Sequence, residues 1–446
     1  MMPSGSPEVA FIGDDFTGAS DALATFARAG LRARLFLDAP DAAGVAAEGL
    51  DAVGIATDLR TLPASEIADR LRGIAPTIAA LRPRFLHYKV CSTFDSSPAI
   101  GSIGAAVRAL DGLFAPTLVV VIGGQPSLGR YCLFGNLFAR AADGAVYRID
   151  RHPVMRSHPA TPMDESDLRH HLNAQGLSDI ELLSWLQIGR NGAELAALVG
   201  AFVKRGNRHL LFDVSENADI ETIGAALRLL PSRDRPILVV GASSVAESLT
   251  AADGFAAGVV PGGSRRERAA GPCLVIAGSR SSVTAAQVAA ATCYDKFAIA
   301  PCDLAEEPAG RSLAAVVANV LREGRHALVH LAPDIDYGIA GVVLARRLAG
   351  LSAEILDSAP VRTLGIAGGD TSSVIVHRLG FESLIHGSDL DTGVAICVGR
   401  SNDPERDQMR LMLKGGQMGQ VSVFDRLVGA PPQAGHARLA RLPDCE

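Results

Sequence analysis

Near its start the chain changes hydrophobic period within a few residues. Residues 9–12 are an apolar run of strand length, Gly13, Asp14 and Asp15 interrupt it, and residues 16–29 carry apolar side chains at helical spacing. The pattern predicts a strand, a tight acidic loop and a helix, with Gly30 at the left-handed position that commonly ends a helix. The alternation continues to about Leu249. Strands are predicted at 34–37, 52–56, 85–90, 117–122, 209–214 and 236–240, and helical segments at 63–71, 100–110 and 194–204. Such alternation implies βαβ units and a mostly parallel sheet. Two stretches break it. Residues 123–136 read as a long connection, and residues 150–163 are made irregular by proline, after which 164–169 open a helix with acidic residues in its first turn.

Residues 251–271 mix Gly, Pro and charges with weak periodicity, which places a domain boundary there. A new strand at 273–277, a loop at 278–282 and a helix from Thr284 restart the pattern, which runs to about Val428. The tail after Gly429 reads as partly disordered. The expected fold class is α/β, with two α/β domains at 1–262 and 263–446, each a mostly parallel sheet flanked by helices.

At 446 residues the chain exceeds the usual size of one core, which agrees with two domains. A net charge of -6 argues against a nucleic-acid surface, and the densest basic cluster, Arg265-Arg266-Glu267-Arg268, reads as a solvated linker. No apolar run is long enough to span a membrane, and residues 1–8 lack the basic-then-apolar order of a secretory signal, so a cytoplasmic location is expected. The seven cysteines include no C-x-x-C pair, which predicts reduced thiols rather than a disulfide framework or a zinc site. A homodimer is the base-rate expectation for assembly.

The chemistry-bearing residues gather at predicted strand ends. In the first half these are Asp14, Asp15, Thr17, Asp21, Asp58, Arg60, Lys89, Ser92, Asp95 and Arg151. Ligands of open α/β sheets bind at the carboxyl ends of strands. Carboxylates beside Lys and Arg suit a small polyhydroxylated acid, the cations taking its carboxylate and the Asp side chains its hydroxyls. Helix capping explains Asp15 or Thr17 taken singly but leaves the paired carboxylates unexplained. The second half holds three glycine-rich loops: Gly278-Ser279-Arg280-Ser281-Ser282, Gly368-Gly369-Asp370-Thr371-Ser372-Ser373, and Lys414-Gly415-Gly416-Gln417-Met418-Gly419. Glycine lets backbone N–H groups approach an anion, and a helix N-terminus adds unpaired donors. A triphosphate is one candidate occupant, although neither the usual P-loop nor the dinucleotide fingerprint is present. Asp370 also reads as an N-cap for a helix from Thr371 to Leu379.

These loops together resemble the four-carbon acid sugar kinase family over nearly the whole chain. Asp14-Asp15-Phe16-Thr17-Gly18-Ala19-Ser20-Asp21 is similar to its opening D-D-[FL]-T-G-A-x-D, and the three glycine loops are similar to its ATP-binding loops. The resemblance implies a sugar-binding N-terminal domain, a nucleotide-binding C-terminal domain, and ATP-dependent phosphorylation of a sugar-acid hydroxyl with Mg2+. On that reading Ser279, Gly368, Gly369, Asp370, Thr371, Lys414, Gly415 and Gly416 hold ATP. Asp14, Asp15, Thr17, Asp21, Arg60, Lys89, Ser92 and Arg151 hold the acid, and Asp370 or Asp15 accepts the hydroxyl proton as domain closure brings the γ-phosphate to the sugar. One segment departs from the family pattern K-x-D-S-T-L-R-G: Lys89, Ser92 and Thr93 are kept, but Cys91 and Asp95 stand where Asp and Arg are usual. The change points away from ordinary tetronates toward an oxidised or branched acid such as 3-oxo-isoapionate. The rival readings are a non-catalytic sensor that kept the fold, and a kinase or ligase acting on an unrelated small acid.

Overall fold

The computed structural model describes residues 6–141, 143–158, 160–189, 191–231, 235–251, 271–304, 312–391 and 393–429. The chain divides into two compact units, Met1–Val260 and Pro261–Glu446. The boundary expected at 262/263, the basic cluster at 265–268 and the tail after Gly429 lie outside the described residues.

In the first unit the strands are β1 (Val9–Gly13), β2 (Ala33–Phe36), β3 (Ala52–Ala56), β4 (Phe85–Lys89), β5 (Leu118–Gly123), β6 (Arg130–Leu133), β7 (Asn136–Arg140), β8 (Val146–Arg148), β9 (Ile180–Leu183), β10 (His209–Asp213) and β11 (Ile237–Gly241). The helices are α1 (Phe16–Arg28), α2 (Ala42–Glu48), α3 (Ala64–Leu81), α4 (Ile103–Phe114), α5 (Leu168–Ala174), α6 (Trp185–Ile188), α7 (Gly192–Lys204), α8 (Asn217–Leu229) and α9 (Ser244–Ala251). The main sheet runs β2-β3-β1-β4-β11-β5-β10-β9, and every one of these pairs is parallel. Strands covered on both faces need continuous apolar runs, and β1, β3, β5 and β11 are buried along their whole length. The chain places β2 and β3 on one side of β1 and β4 on the other, so a topological switch point, the usual ligand crevice, falls between β1 and β4.

Three local expectations need correction. Residues 123–136 are not an open connection: β6, β7 and β8 form a small antiparallel sheet, whose short strands carry half-exposed residues and so lack a clear apolar period. The helix expected from 164 begins at Leu168, because Asp167 caps it by accepting from the Arg169 amide; Asp164 and Glu165 precede it. The helix expected over 63–71 continues to Leu81 through Pro76, since Ile74, Ala75 and Ile78 extend its buried face beyond the proline.

The second unit contains β12 (Cys273–Ala277), β13 (Tyr294–Ala298), β14 (His326–His330), β15 (Thr363–Ala367), β16 (Phe381–Asp391), β17 (Val394–Ser401) and β18 (Arg410–Lys414). Its helices are α10 (Ser282–Ala290), α11 (Leu313–Arg322), α12 (Gly341–Ser358), α13 (Gly369–Arg378) and α14 (Val423–Leu427). The sheet order is β13-β14-β12-β15-β18-β17-β16, parallel from β13 to β18 and antiparallel thereafter. Both units are thus α/β with mostly parallel sheets flanked by helices. Among the described residues, no helix is long and apolar enough to cross a membrane. Cys91, Cys132, Cys273, Cys293 and Cys397 are free thiols, but Cys302 is disulfide-bonded, against the expectation of reduced thiols throughout. Its nearest cysteine in sequence, Cys293, is free, so no local spacing signals the bridge.

Candidate active site

The first cluster forms at the switch point. The Asp14 amide donates to the Lys89 carbonyl (2.9 Å), which ties the end of β1 to the end of β4. Asp15 caps α1 by accepting from the Gly18 amide (2.8 Å), as capping predicts. The paired carboxylates have a further role, because Arg60 bridges them. It donates to Asp14 from Nε (3.1 Å) and Nη2 (2.7 Å) and to Asp15 from Nη1 (3.0 Å) and Nη2 (3.1 Å). Burial raises the Asp14 pKa to about 6 against the pull of Arg60, with Asp15 adding to the rise. Gly18 is required by close approach: a Cβ there would lie 2.4 Å from Asp15 Oδ1 and 2.8 Å from Lys89 Nζ. Lys89 is 4% exposed and donates to the Val90 carbonyl (3.0 Å).

The turn after β4 builds a second polar group. The Cys91 thiol and the Thr93 hydroxyl lie 2.9 Å apart, and Thr93 Oγ1 donates to Asp95 Oδ1 (2.5 Å). Burial pushes the Cys91 thiol up to about 11, with Asp95 contributing. Burial also opposes ionisation of Asp95, but the Arg60 charge and hydrogen bonds from Cys91 and Thr93 hold its carboxyl below the usual value. Ser92 is half-buried in this turn. Asp21 accepts a hydrogen bond from Ser243, which follows β11, and the Thr17 carbonyl accepts from Ser20 within α1. Arg151 is not drawn to this group: its side chain is 75% exposed and faces Asp150 at 3.6 Å. Asp58 is likewise peripheral and pairs with Arg70.

The second cluster lies in the second unit, where the loops after β12, β15 and β18 follow three neighbouring parallel strands. The Gly278 and Ser279 amides donate to the Ala367 carbonyl (2.9 and 3.0 Å), and the Gly368 amide donates to the Lys414 carbonyl (2.9 Å). The Gly416 carbonyl accepts from Ser281 Oγ (2.6 Å) and Thr284 Oγ1 (2.9 Å). A Cβ on Gly278 would meet Thr371 Oγ1 at 2.5 Å, and one on Gly416 would meet Ser279 Oγ at 2.4 Å. Gly368 has φ 127, a backbone that L side chains rarely adopt. It occupies the N-cap of α13 without a side-chain cap, whereas Ser281 caps α10. The N-terminal donors of α13 therefore stay available to an anion. Asp370 falls in the first turn of α13 rather than at its N-cap, because the helix begins two residues earlier than Thr371; its side chain lies outside the described set. Lys414 is fully buried, donates to Thr284 Oγ1 (3.1 Å), and has its pKa lowered to about 8 by burial.

Beside Ser279 opens a cavity of about 410 Å³, walled by Ala285, Val288, Leu331 and Pro333 and edged by Lys296 and His330. Sequence reading missed it, since its walls come from two helix turns and a strand end far apart in the chain. It also missed Gln125, just after β5, Arg130, at the start of β6, and Glu247, in the first turn of α9. Gln125 Nε2 donates to Glu247 Oε1 at 2.9 Å.

Comparison with known proteins agrees with this division. A profile for a sugar-binding N-terminal domain matches residues 9–249, and one for a nucleotide-binding C-terminal domain matches residues 274–424. A 3-oxo-isoapionate kinase from Paraburkholderia graminis is 36% identical, covering 95% of each chain. A 3-oxo-tetronate kinase from Methylobacterium radiotolerans is 32% identical, covering 93% of this chain and 97% of the other. A D-threonate kinase from Salmonella typhimurium is 27% identical, covering 93% and 96%. A crystal structure from Salmonella typhimurium LT2 shares the fold with a TM-score of 0.76 at 24% identity, covering 95% of this chain and 98% of that one. With sugar-binding and nucleotide-binding domains both matched, and relatives of this similarity named as sugar-acid kinases, the chain belongs to the four-carbon acid sugar kinase family.

Proposed function

We propose that this kinase transfers the γ-phosphate of ATP to a hydroxyl of a small 3-oxo sugar acid, of the 3-oxo-isoapionate or 3-oxo-tetronate type. The observation that carries the nucleotide half is the gathering of three glycine loops after adjacent parallel strands, with Lys414 and the uncapped start of α13 among them. The apolar cavity beside Ser279 suits a nucleobase. The acceptor half rests on the Asp14, Asp15, Arg60 and Lys89 cluster at the switch point. Cys91 and Asp95 favour a branched or oxidised acid over a plain tetronate, as does the 36% identity with a 3-oxo-isoapionate kinase.

Phosphoryl transfer is chiefly positioning and charge neutralisation. Backbone amides of the three loops and Lys414 would hold the triphosphate. Mg2+ is bound largely by phosphate oxygens and water and needs few protein ligands, and the hydroxyls of Ser279 and Thr371 are oxygen donors suited to it. When bound, it neutralises charge on the phosphates. Asp370 is our choice for the group that accepts the hydroxyl proton. Asp15 is the weaker candidate because Arg60 and the Gly18 amide already occupy its oxygens. A cytoplasmic location fits a substrate phosphorylated at the expense of ATP.

The test is incubation with ATP, Mg2+ and a panel of 3-oxo-isoapionate, 3-oxo-tetronate and D-threonate, with the product identified by mass spectrometry. Turnover is expected to favour a 3-oxo acid. Asp370→Asn should lower kcat by a factor on the order of 100 or more with ATP affinity little changed. Nucleotide binding without any phosphorylated acid would support the sensor reading instead.

A further inference from the structure

The Arg60 guanidinium, which the sequence assigned to the substrate, already spends its Nε–Nη2 edge on Asp14 and both Nη atoms on Asp15. Another arginine has the free geometry. Arg130, at the start of β6, donates from Nη1 to the Leu128 carbonyl (2.7 Å), while its Nε is buried without a partner. No described residue accepts from its Nη2. The Nε–Nη2 edge is the one through which Arg60 grips Asp14 and Arg169 grips Asp167, the side-on fork that matches a carboxylate. In Arg130 that fork is unoccupied.

Its position places it at the acceptor end of the sheet. The backbones of Arg130 and Gln125 pair in an antiparallel bridge just beyond β5, at the carboxyl edge of the strands. Burial pulls the guanidinium's pKa down and the neighbouring Arg140 charge adds to the fall, so an anionic partner would relieve it; the same guanidinium lies within electrostatic reach of Cys91, in the turn after β4. Gln125 completes the pattern. Glu247 fixes its amide by accepting from Nε2, and its Oε1 is left buried without a partner. A strong bidentate donor and a neutral acceptor therefore stand unused on paired residues, the complement of a carboxylate beside a hydroxyl.

We propose that Arg130 receives the carboxylate of the acid substrate through its Nε–Nη2 edge, making it a specificity-determining residue for this kinase. Gln125 Oε1 accepts a hydrogen bond from a hydroxyl of the same substrate. This rests on the sugar-acid kinase reading above and supplies the cation that the replacement of the family's Arg by Asp95 removes.

The experiment measures ATP-dependent phosphorylation by the full-length protein and its Arg130→Met and Arg130→Lys variants, using the best acid of the panel and the neutral polyol obtained by reducing its carboxylate. Arg130→Met should raise KM for the acid about 100-fold, leave KM for ATP within about twofold, and leave the slow reaction with the polyol unchanged. Arg130→Lys, with a charge but no fork, should recover part of the loss. An equal loss on acid and polyol, or an unchanged KM for the acid, overturns the assignment. A wild-type protein that phosphorylates no acid overturns the kinase reading and this proposal with it, a result distinguishable from an active wild type with an indifferent variant.

Discussion

At the scale of single residues, the two clusters hold charge where water is scarce. Asp14 is 4% exposed, and its pKa of about 6 lies above the 3.8 of a free aspartate. Between those values the folded chain keeps a proton that the unfolded chain has released. The protonated form thus stabilises the fold fully below about pH 4, and that contribution is lost as pH rises through 6. A shift of this size corresponds to about 2–3 kcal/mol. Thermal unfolding from pH 4 to pH 7 should therefore show a decline in stability that Asp14→Asn flattens, because the amide does not titrate. A variant with the same slope as wild type would mean that Asp14 is not the group responsible. Arg60 and Arg130 show why residue type alone misleads: both are arginines at strand ends, but one is saturated by carboxylates and the other has its fork free.

At the scale of elements, the glycines separate into those a loop needs and those it does not. Gly278 faces the Thr371 side chain so closely that a methyl group must displace it, and displacing Thr371 moves the start of α13. Gly73, inside α3, has nothing within 4 Å of a Cβ. Gly278→Ala should lower ATP affinity tenfold or more, on the order expected for misplaced binding groups. Gly73→Ala should stabilise the fold by about 0.5–1 kcal/mol through helix propensity and leave turnover unchanged. Calorimetric ATP titration and thermal denaturation of the two variants check the contrast. The helix of 64–81 makes the same point about packing: Pro76 marks a stop in sequence, but the buried stripe of Ile67, Leu71, Ile74 and Ile78 continues past it.

At the scale of the whole molecule, each unit has its own core and its own candidate ligand. The first unit's core joins Ile12, Leu86, Val121 and Val240, while the second's joins Val275, Leu328, Met412 and Phe424. Separate cores of this kind favour separate unfolding steps. Scanning calorimetry is expected to resolve two transitions, one raised by a non-hydrolysable ATP analogue and the other by the sugar acid. A single transition moved equally by either ligand would contradict that independence.

The strand-loop-helix order, the parallel α/β class and the placement of Asp14, Asp15, Lys89 and Gly278 at strand ends were legible in the sequence. Hydrophobic period sets where strands end, and in parallel sheets ligands collect at those ends. The disulfide at Cys302 and the cavity beside Ser279 were not, because each joins residues whose nearness no local spacing records, and the small β6–β8 sheet was not, because its short, half-exposed strands lack a clear apolar period. Only the tertiary structure assigned partners to the charges. It gave Arg60 to two carboxylates, left Arg151 beside Asp150 at the surface, and left the fork of Arg130 free, since a side chain's role depends on which neighbours reach it first.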